Sequence, residues 1–453
     1  MSDKKDNISN KIENNKLFNL KYNLLAIAQI ILSLTNSLLL IKLFGVSAQT
    51  DCYLLASSIV ASLQLLQLMF TEQFMFFYND IKVCDTKEAI KFYNFTLIFT
   101  IFISLIFFIV SLMLLDIIIK VFAFNLDMQR ASKLKDLLLI LIFINIFISI
   151  NSLNEKYLNS EMRFAAPYII SLFPVLFMVI VQLWMLYTKK LNISFIAHGQ
   201  VFGYFFSTLV SFIFVHHMGH KFKFIWYHAV FREFIKNSMA MRFGHNIHNF
   251  LFTPITNNIL SSLQVGQASY FYLAQKIMAI VFAITVGPSA KVFLANVASS
   301  WSEKNLITIR ILMKNYLKVT LPMFILLILI TYLSIPVLLS YIKSNLLSYH
   351  DIEKIKFVFL SLSVWYLILV VESAFDAMII ASKKSVAFIV VNAIFVVNYF
   401  ILSSILLNIF GIYSIPVSVS ISQILSLVIF IIFVFKLLND KIPNYKNGNM
   451  IKK

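Results

Sequence analysis

Phe44-Gly-Val-Ser-Ala-Gln-Thr-Asp51-Cys-Tyr-Leu-Leu-Ala56, continuing through an apolar run to Phe70-Thr-Glu72, is a short polar loop feeding a long apolar helix. Gly45 offers a left-handed stop for the preceding helix, and Asp51 stands where the next helix would take its N-cap. A related stretch returns 218 residues on. Setting Ala48–Ile59 against Gly266–Ile277 matches Gln49 with Gln267, Leu55 with Leu273, Ala56 with Ala274 and Ile59 with Ile277, with Tyr53 opposite Phe271. Both copies follow the first long apolar run of their half of the chain, the pattern of an internally repeated membrane transporter.

Working outward, 60% of the 453 residues are hydrophobic, 46 are Phe, and only 13% are charged. The mean hydropathy is +0.85. A soluble domain has about 45–50% apolar and about 25% charged residues, so the chain belongs in a bilayer. Its net charge of +18 could suggest nucleic acid, but the basic residues fall in short gaps between apolar stretches, where topology is set. No nucleic-acid partner is expected. Cys52 and Cys84 are too few for a disulfide framework and read as packing residues. The first apolar run, Tyr22–Phe44, is too long for a signal-peptide core and is expected to stay as an anchor.

A spanning helix needs about 20 mostly apolar residues. That template fits twelve times, near 22–44, 52–77, 92–119, 137–153, 165–187, 191–215, 247–263, 268–299, 315–341, 357–380, 386–409 and 414–436. Placing the N terminus inside puts 26 Lys and Arg in the cytoplasmic segments and 9 outside, so both termini are expected to be cytoplasmic. The expectation is an all-α polytopic protein: an N-terminal lobe of six spans over 1–215, a cytoplasmic linker at 216–246, and a C-terminal lobe of six spans over 247–453. An even number of spans per lobe makes the repeats parallel. Within the linker, Phe224–Arg242 interleaves Trp226, Phe231, Phe234 and Met241 with Arg232, Lys236 and Arg242, which predicts an interfacial helix lying on anionic lipid.

No phosphate-cradling glycine loop, nucleophile elbow or pair of catalytic acids on an aqueous domain is present, so no enzyme is expected. The histidines at 216, 217, 220, 228, 245 and 248 lack Cys or carboxylate partners at ligand spacing, and no metal is expected. The informative residues are the charges inside spans, which are expensive there. Lys42 stands one turn from the end of its span, where it can snorkel or line a cavity. Glu72 sits near an inner end, as a cap or a gating group, and Asp116 near an outer one. Glu372 and Asp376 lie one turn apart on one helix face, as a coupling-ion or proton site or as structural groups. Lys276 lies well inside the eighth span, where snorkelling does not excuse it, and the Gly287-Pro288 pair further on offers a hinge or a tolerated bend.

Two stretches carry a family resemblance: Lys42-Leu-Phe-Gly45 through Asp51 to Phe70-Thr-Glu72, and Val265-Gly-Gln267 through Tyr272-Leu-Ala-Gln-Lys276 to Gly287-Pro288. They resemble the multidrug/oligosaccharidyl-lipid/polysaccharide (MOP) exporter superfamily, in particular the lipid II flippases of peptidoglycan synthesis. The first span departs from that family. It reads Gln29 to Ser37 without arginine, with Lys42 its only cation, and twelve spans is the common number for translocases of polysaccharide repeat units. The resemblance therefore implies a bacterial inner-membrane flippase for a polyprenyl-diphosphate-linked oligosaccharide, working by alternating access around a V-shaped cavity. It implies diphosphate contacts from Lys276 and Lys42, no cofactor beyond a coupling cation or proton, a monomer among membrane lipids, and a polysaccharide polymerase as its downstream partner. The alternatives are a lipid II flippase and a cation-coupled multidrug antiporter of the same superfamily. A surface-polysaccharide polymerase or ligase would normally carry a large outer loop, which this sequence lacks.

Overall fold

The computed structural model describes Leu25 and residues 27–440, apart from Glu72, Phe164, 219–221, 303–305, 341–346 and 383–384. At several helical positions, among them 239–249, Pro288 and Lys291, it describes the backbone but not the side chain. Every regular element among the described residues is helical. In chain order these are α1 (Ile27–Phe44), α2 (Ala48–Leu68), a 3-10 turn at Met69–Thr71, α3 (Phe74–Cys84), α4 (Thr86–Met113), α5 (Leu115–Phe122), α6 (Met128–Leu141) and α7 (Ile144–Ser160). They continue as α8 (Ala165–Thr188), α9 (Ile193–His217), α10 (Phe231–Ser262), α11 (Gln267–Ser302), α12 (Leu306–Ser340), α13 (Tyr349–Ser382), α14 (Ser385–Phe410), a 3-10 turn at Gly411–Tyr413, and α15 (Ser414–Asp440).

Nine stretches among the described residues are long and apolar enough to cross a membrane, and the pair α6–α7, bent by 41° at its break, makes a tenth. The last of the nine, Ile389–Lys436, covers both α14 and α15, which the turn at Gly411 (φ +53°) folds against each other. The chain is thus an all-helical, multi-span membrane protein, the class that its composition predicts.

Several boundaries differ from expectation. The second span stops at Leu68 instead of running to 77, and the chain restarts as the separate helix α3. The short, polar fourth span, expected over 137–153, is the bent pair α6–α7. Its second half carries Asn151, Asn154 and Lys156 within a continuous helix, because Asn151 and Asn154 find partners on α9 and Lys156 finds one in the 3-10 turn at Thr71. The helix expected over Phe224–Arg242 begins only at Phe231 and then runs unbroken to Ser262, so Phe224–Val230 are not helical.

The chain divides into two compact units. One comprises residues up to Phe243 with Gln264–Ser269 and Ile342–Ser348; the other comprises Gly244–Leu263, Tyr270–Tyr341 and the chain from Tyr349 onward. In the first unit α8 and α9 pack most closely, for a reason legible in single residues. Pro174 inside α8 has no N–H to give to the Ile170 carbonyl one turn earlier. The Ser207 hydroxyl on α9 donates to that carbonyl instead (2.9 Å), and Asn151 Nδ2 on α7 donates to the Ser207 oxygen (3.1 Å). Gly203 permits the approach, since a Cβ there would lie 2.5 Å from Pro174 Cα. A second bridge runs from the Tyr93 hydroxyl on α4 to Asn154 Oδ1 (2.7 Å), and from Asn154 Nδ2 to Ser211 Oγ on α9 (2.8 Å). In hydrocarbon such groups have no water to fall back on, so their pairing fixes helix register.

Below these bridges an aromatic cluster of Phe74, Tyr78, Phe92, Tyr93, Tyr157 and Phe234 draws α3, α4, α7 and the start of α10 together. Lys82 and Tyr78 both donate to Glu161 at 2.8 Å at its edge. Asp85 caps α4 through the Lys87 N–H (2.7 Å), Asp127 caps α6 through the Arg130 N–H (2.8 Å), and Asn192 caps α9 through the Ser194 N–H (3.0 Å). In the second unit Phe293, Trp301, Tyr316, Phe375, Met378 and Phe430 form the core among α11, α12, α13 and α15. The Thr256 and Tyr399 hydroxyls join α10 to α14 at 2.8 Å.

Candidate functional site

The stretch from Lys42 to Asp51 is built as a tight corner. Gly45 takes the left-handed conformation (φ +63°) and its N–H returns to the Ile41 carbonyl at 2.8 Å, closing α1. Ser47 is the cap of α2, accepting the Thr50 N–H at 3.4 Å, while the Thr50 hydroxyl donates to the Gly45 carbonyl at 2.8 Å. Asp51 therefore does not cap its own helix, as the spacing predicts, because α2 starts three residues earlier. Its carboxylate, 3% exposed, accepts instead from the backbone N–H groups of Gly266 (2.6 Å) and Ser269 (2.8 Å) and from the Ser269 hydroxyl (2.5 Å). These donors open α11, so a negative charge lies at that helix's positive N-terminal end. Asp51 and Ser269 are 218 residues apart, the offset of the internal repeat, and equivalent positions of the two copies thus meet. Gly266, at φ +94°, supplies the turn that presents both N–H groups.

Lys42 is exposed on α1, two residues before its end. Lys276 is the tenth residue of α11, about 13 Å along its axis, half-buried between the buried residues Ala274 and Ile277. Among the described residues no carboxylate comes within ion-pair distance of it. One turn earlier on α11, Tyr272 donates its hydroxyl to Asn257 on α10. α11 is helical through Gly287 and Pro288, and a Cβ on Gly287 would meet nothing within 4 Å. Glu72 lies outside the described residues. Asp116 forms an exposed ion pair with Lys135 at 2.7 Å.

Glu372 and Asp376 share a face of α13, and the structure adds two residues to them. Gln423 on α15 donates its side-chain N–H to Glu372, while its Oε1 accepts from the indole N–H of Trp365 at 3.3 Å. An indole can only donate, so Trp365 fixes which end of the Gln423 amide faces Glu372. Glu372 is 7% exposed, and Asp376 Oδ1 is buried without a hydrogen-bond partner among the described residues. Two carboxyl groups thus lie one turn apart on a helix whose Phe375 and Met378 are buried in the apolar core, with the neutral Gln423 amide donating to one of them. The signal for Gln423 lay in the sequence: it is a long polar side chain inside an apolar span. The Trp365 and Asp51 contacts carried no such signal, since their partners are 58 and more than 200 residues away.

The family model described as lipid II flippase MurJ matches residues 40–452 of the chain. Among solved structures, a lipid II flippase MurJ in an inward closed conformation superposes with a TM-score of 0.75 at 19% identity, over 93% of this chain and 90% of that one. An inward-facing multidrug resistance MATE family transporter of the MOP superfamily gives 0.73 at 12% identity, over 92% and 96%. A MOP superfamily transporter from Pyrococcus furiosus gives 0.63 at 10% identity, over 92% and 96%. No curated protein matches the chain. With nine-tenths of its length under one family model, and the fold that its residues build, the chain belongs to the MurJ family of lipid II flippases, within the MOP exporter superfamily.

Proposed function

We propose that this protein turns a polyprenyl-diphosphate-linked oligosaccharide from the inner to the outer leaflet of a bacterial inner membrane, with both of its termini in the cytoplasm. The observation that carries this reading is Lys276: a cation half-buried in an apolar helix, with no carboxylate among the described residues to neutralise it. An ammonium so placed needs an anion from elsewhere, and the large anionic feature of a lipid-linked sugar is its diphosphate. Lys276 takes that group as a point charge, and Lys42 meets it nearer the membrane surface. Glu372 and Asp376, oriented by Gln423 and Trp365, take the coupling proton or cation. Gly287 and Pro288 give α11 its hinge. The first span, free of arginine from Gln29 to Ser37, favours a polysaccharide repeat unit over lipid II, and a polymerase would then receive the product.

The test pairs Lys276→Arg with Lys276→Ala and reads membrane abundance beside export of lipid-linked sugar. Arginine should keep much of the export, since it supplies the same charge with a bidentate fork. Alanine should remove export at normal abundance. Normal export by the alanine variant refutes the diphosphate role, and low abundance assigns Lys276 to a structural ion pair instead, whose breaking leaves an unpaired buried charge.

A further inference from the structure

Between α9 and α10 the segment Phe222-Lys-Phe-Ile-Trp-Tyr227 is non-helical and holds its aromatic rings outward. Phe222, Phe224, Trp226 and Tyr227 are 56, 61, 74 and 78% exposed. The Phe224 and Trp226 rings pack edge to face with centroids 4.7 Å apart, so these two residues share one side of the strap. Its downstream end is pinned. The His228 ring is buried 5.1 Å from Phe92 and 6.4 Å from Phe95, Phe231 lies 4.8 Å from Phe95 and from Phe99, and Phe234 is enclosed in the aromatic cluster. Seven aromatic residues thus fall within thirteen positions: of the last three, His228 and Phe234 are buried in the first unit and Phe231 is packed against it half-buried, while the first four are left uncovered. Four adjacent exposed rings mark a surface that something covers.

Reach and charge say what covers it. Phe222 is four residues along the chain from Met218, which closes the apolar helix α9, so it lies within about 14 Å of the end of a candidate span. Lys223, Arg232 and Lys236 are exposed, and Glu233 is the one acid between 222 and 236. We propose that Phe222–Tyr227 is an interfacial strap, seated in the headgroup layer of the leaflet in which α9 ends, with a preference for anionic phospholipid. Aromatic rings are amphipathic enough to sit at the headgroup–acyl boundary, and Lys223 meets lipid phosphate there. The strap ties the connection between the two units to the bilayer through lipid on one side and through His228 and Phe231 on the other.

The test uses the full-length chain with Cys84→Ser, since Cys52 is buried, and a nitrobenzoxadiazole probe on Phe224→Cys. In nanodiscs of phosphatidylcholine with a quarter phosphatidylglycerol, the probe's emission should shift to the blue and be quenched by lipids spin-labelled near the headgroup. Pure phosphatidylcholine should give a smaller shift, and 1 M salt should erase the difference, because the screening length falls to about 3 Å. Lys223→Gln should lower the phosphatidylglycerol preference by up to about fivefold. Water-like emission in both lipids overturns the proposal and leaves the strap to a protein partner. An equal shift in both lipids overturns its anionic preference.

Discussion

Replacing Asp51 by alanine removes three hydrogen bonds to a carboxylate and leaves the Gly266 and Ser269 N–H groups buried without that acceptor. Leaving a buried donor unmet costs about 1–3 kcal/mol in a soluble protein. Interhelical hydrogen bonds in membranes average about 0.6 kcal/mol and reach about 1.7, because the unfolded chain in lipid keeps partners. Asp51 lies at a helix end, between these regimes. Three bonds then give about 2–5 kcal/mol for Asp51→Ala, and about 1–3 for Asp51→Asn, whose amide accepts with one atom but turns an N–H toward another donor. Unfolding by sodium dodecyl sulfate in mixed micelles, followed by circular dichroism, measures both. A double-mutant cycle with Ser269→Ala isolates the hydroxyl: that change should cost about 0.5–1.5 kcal/mol alone and nothing in the Asp51→Ala background. If Asp51→Ala unfolds within about 0.5 kcal/mol of the parent, or Ser269→Ala costs the same in both backgrounds, the carboxylate does not hold Gln264–Ser269 in place.

Gly203→Ala should destabilise by about 1–3 kcal/mol, since its Cβ would meet the Pro174 backbone at 2.5 Å and α8 and α9 must part, whereas Gly287→Ala meets nothing and should gain up to about 1 kcal/mol of helix stability. Transport lost in Gly287→Ala despite that gain would mark a hinge, and unchanged transport would remove one. Burial against Phe92 holds the His228 pKa below its usual 6.5. The unfolded segment takes up a proton as pH falls through about 6.5 before the packed one does, so docking of His228–Phe234 is fully present above that pH and weakens below it. Amide exchange of this segment, corrected for intrinsic rates, should be faster at pH 5.5 than at 7.5, and His228→Phe should flatten the difference. Glu372→Gln combined with Asp376→Asn should abolish gradient-driven transport while substrate binding survives; unchanged transport would make the pair structural.

Features that depend on near neighbours along the chain and on the solvent can be read from the residues alone. Apolar runs of about twenty residues can satisfy their backbone in lipid only as helices, so class and approximate spans follow from composition. Gly45 stops α1 because the left-handed turn it permits is a property of one residue. The motif around Lys42 and Lys276 pointed to the family that the whole-chain match identifies. Tertiary structure decided everything whose partner is distant. Asp51 looks like a local cap and instead serves a helix that starts more than 200 residues later. The polar face of α7 reads as the end of a short span, yet it continues because Ser207, Ser211 and Tyr93 are there to meet it. Phe231 and Phe234 read as lipid-facing but are buried or packed against Phe92 and Phe95, while Phe224 and Trp226, with the same composition, are left outside. A side chain's burial is set by which surfaces the fold brings to it, and the hydrophobic effect that drives burial carries no direction along the chain.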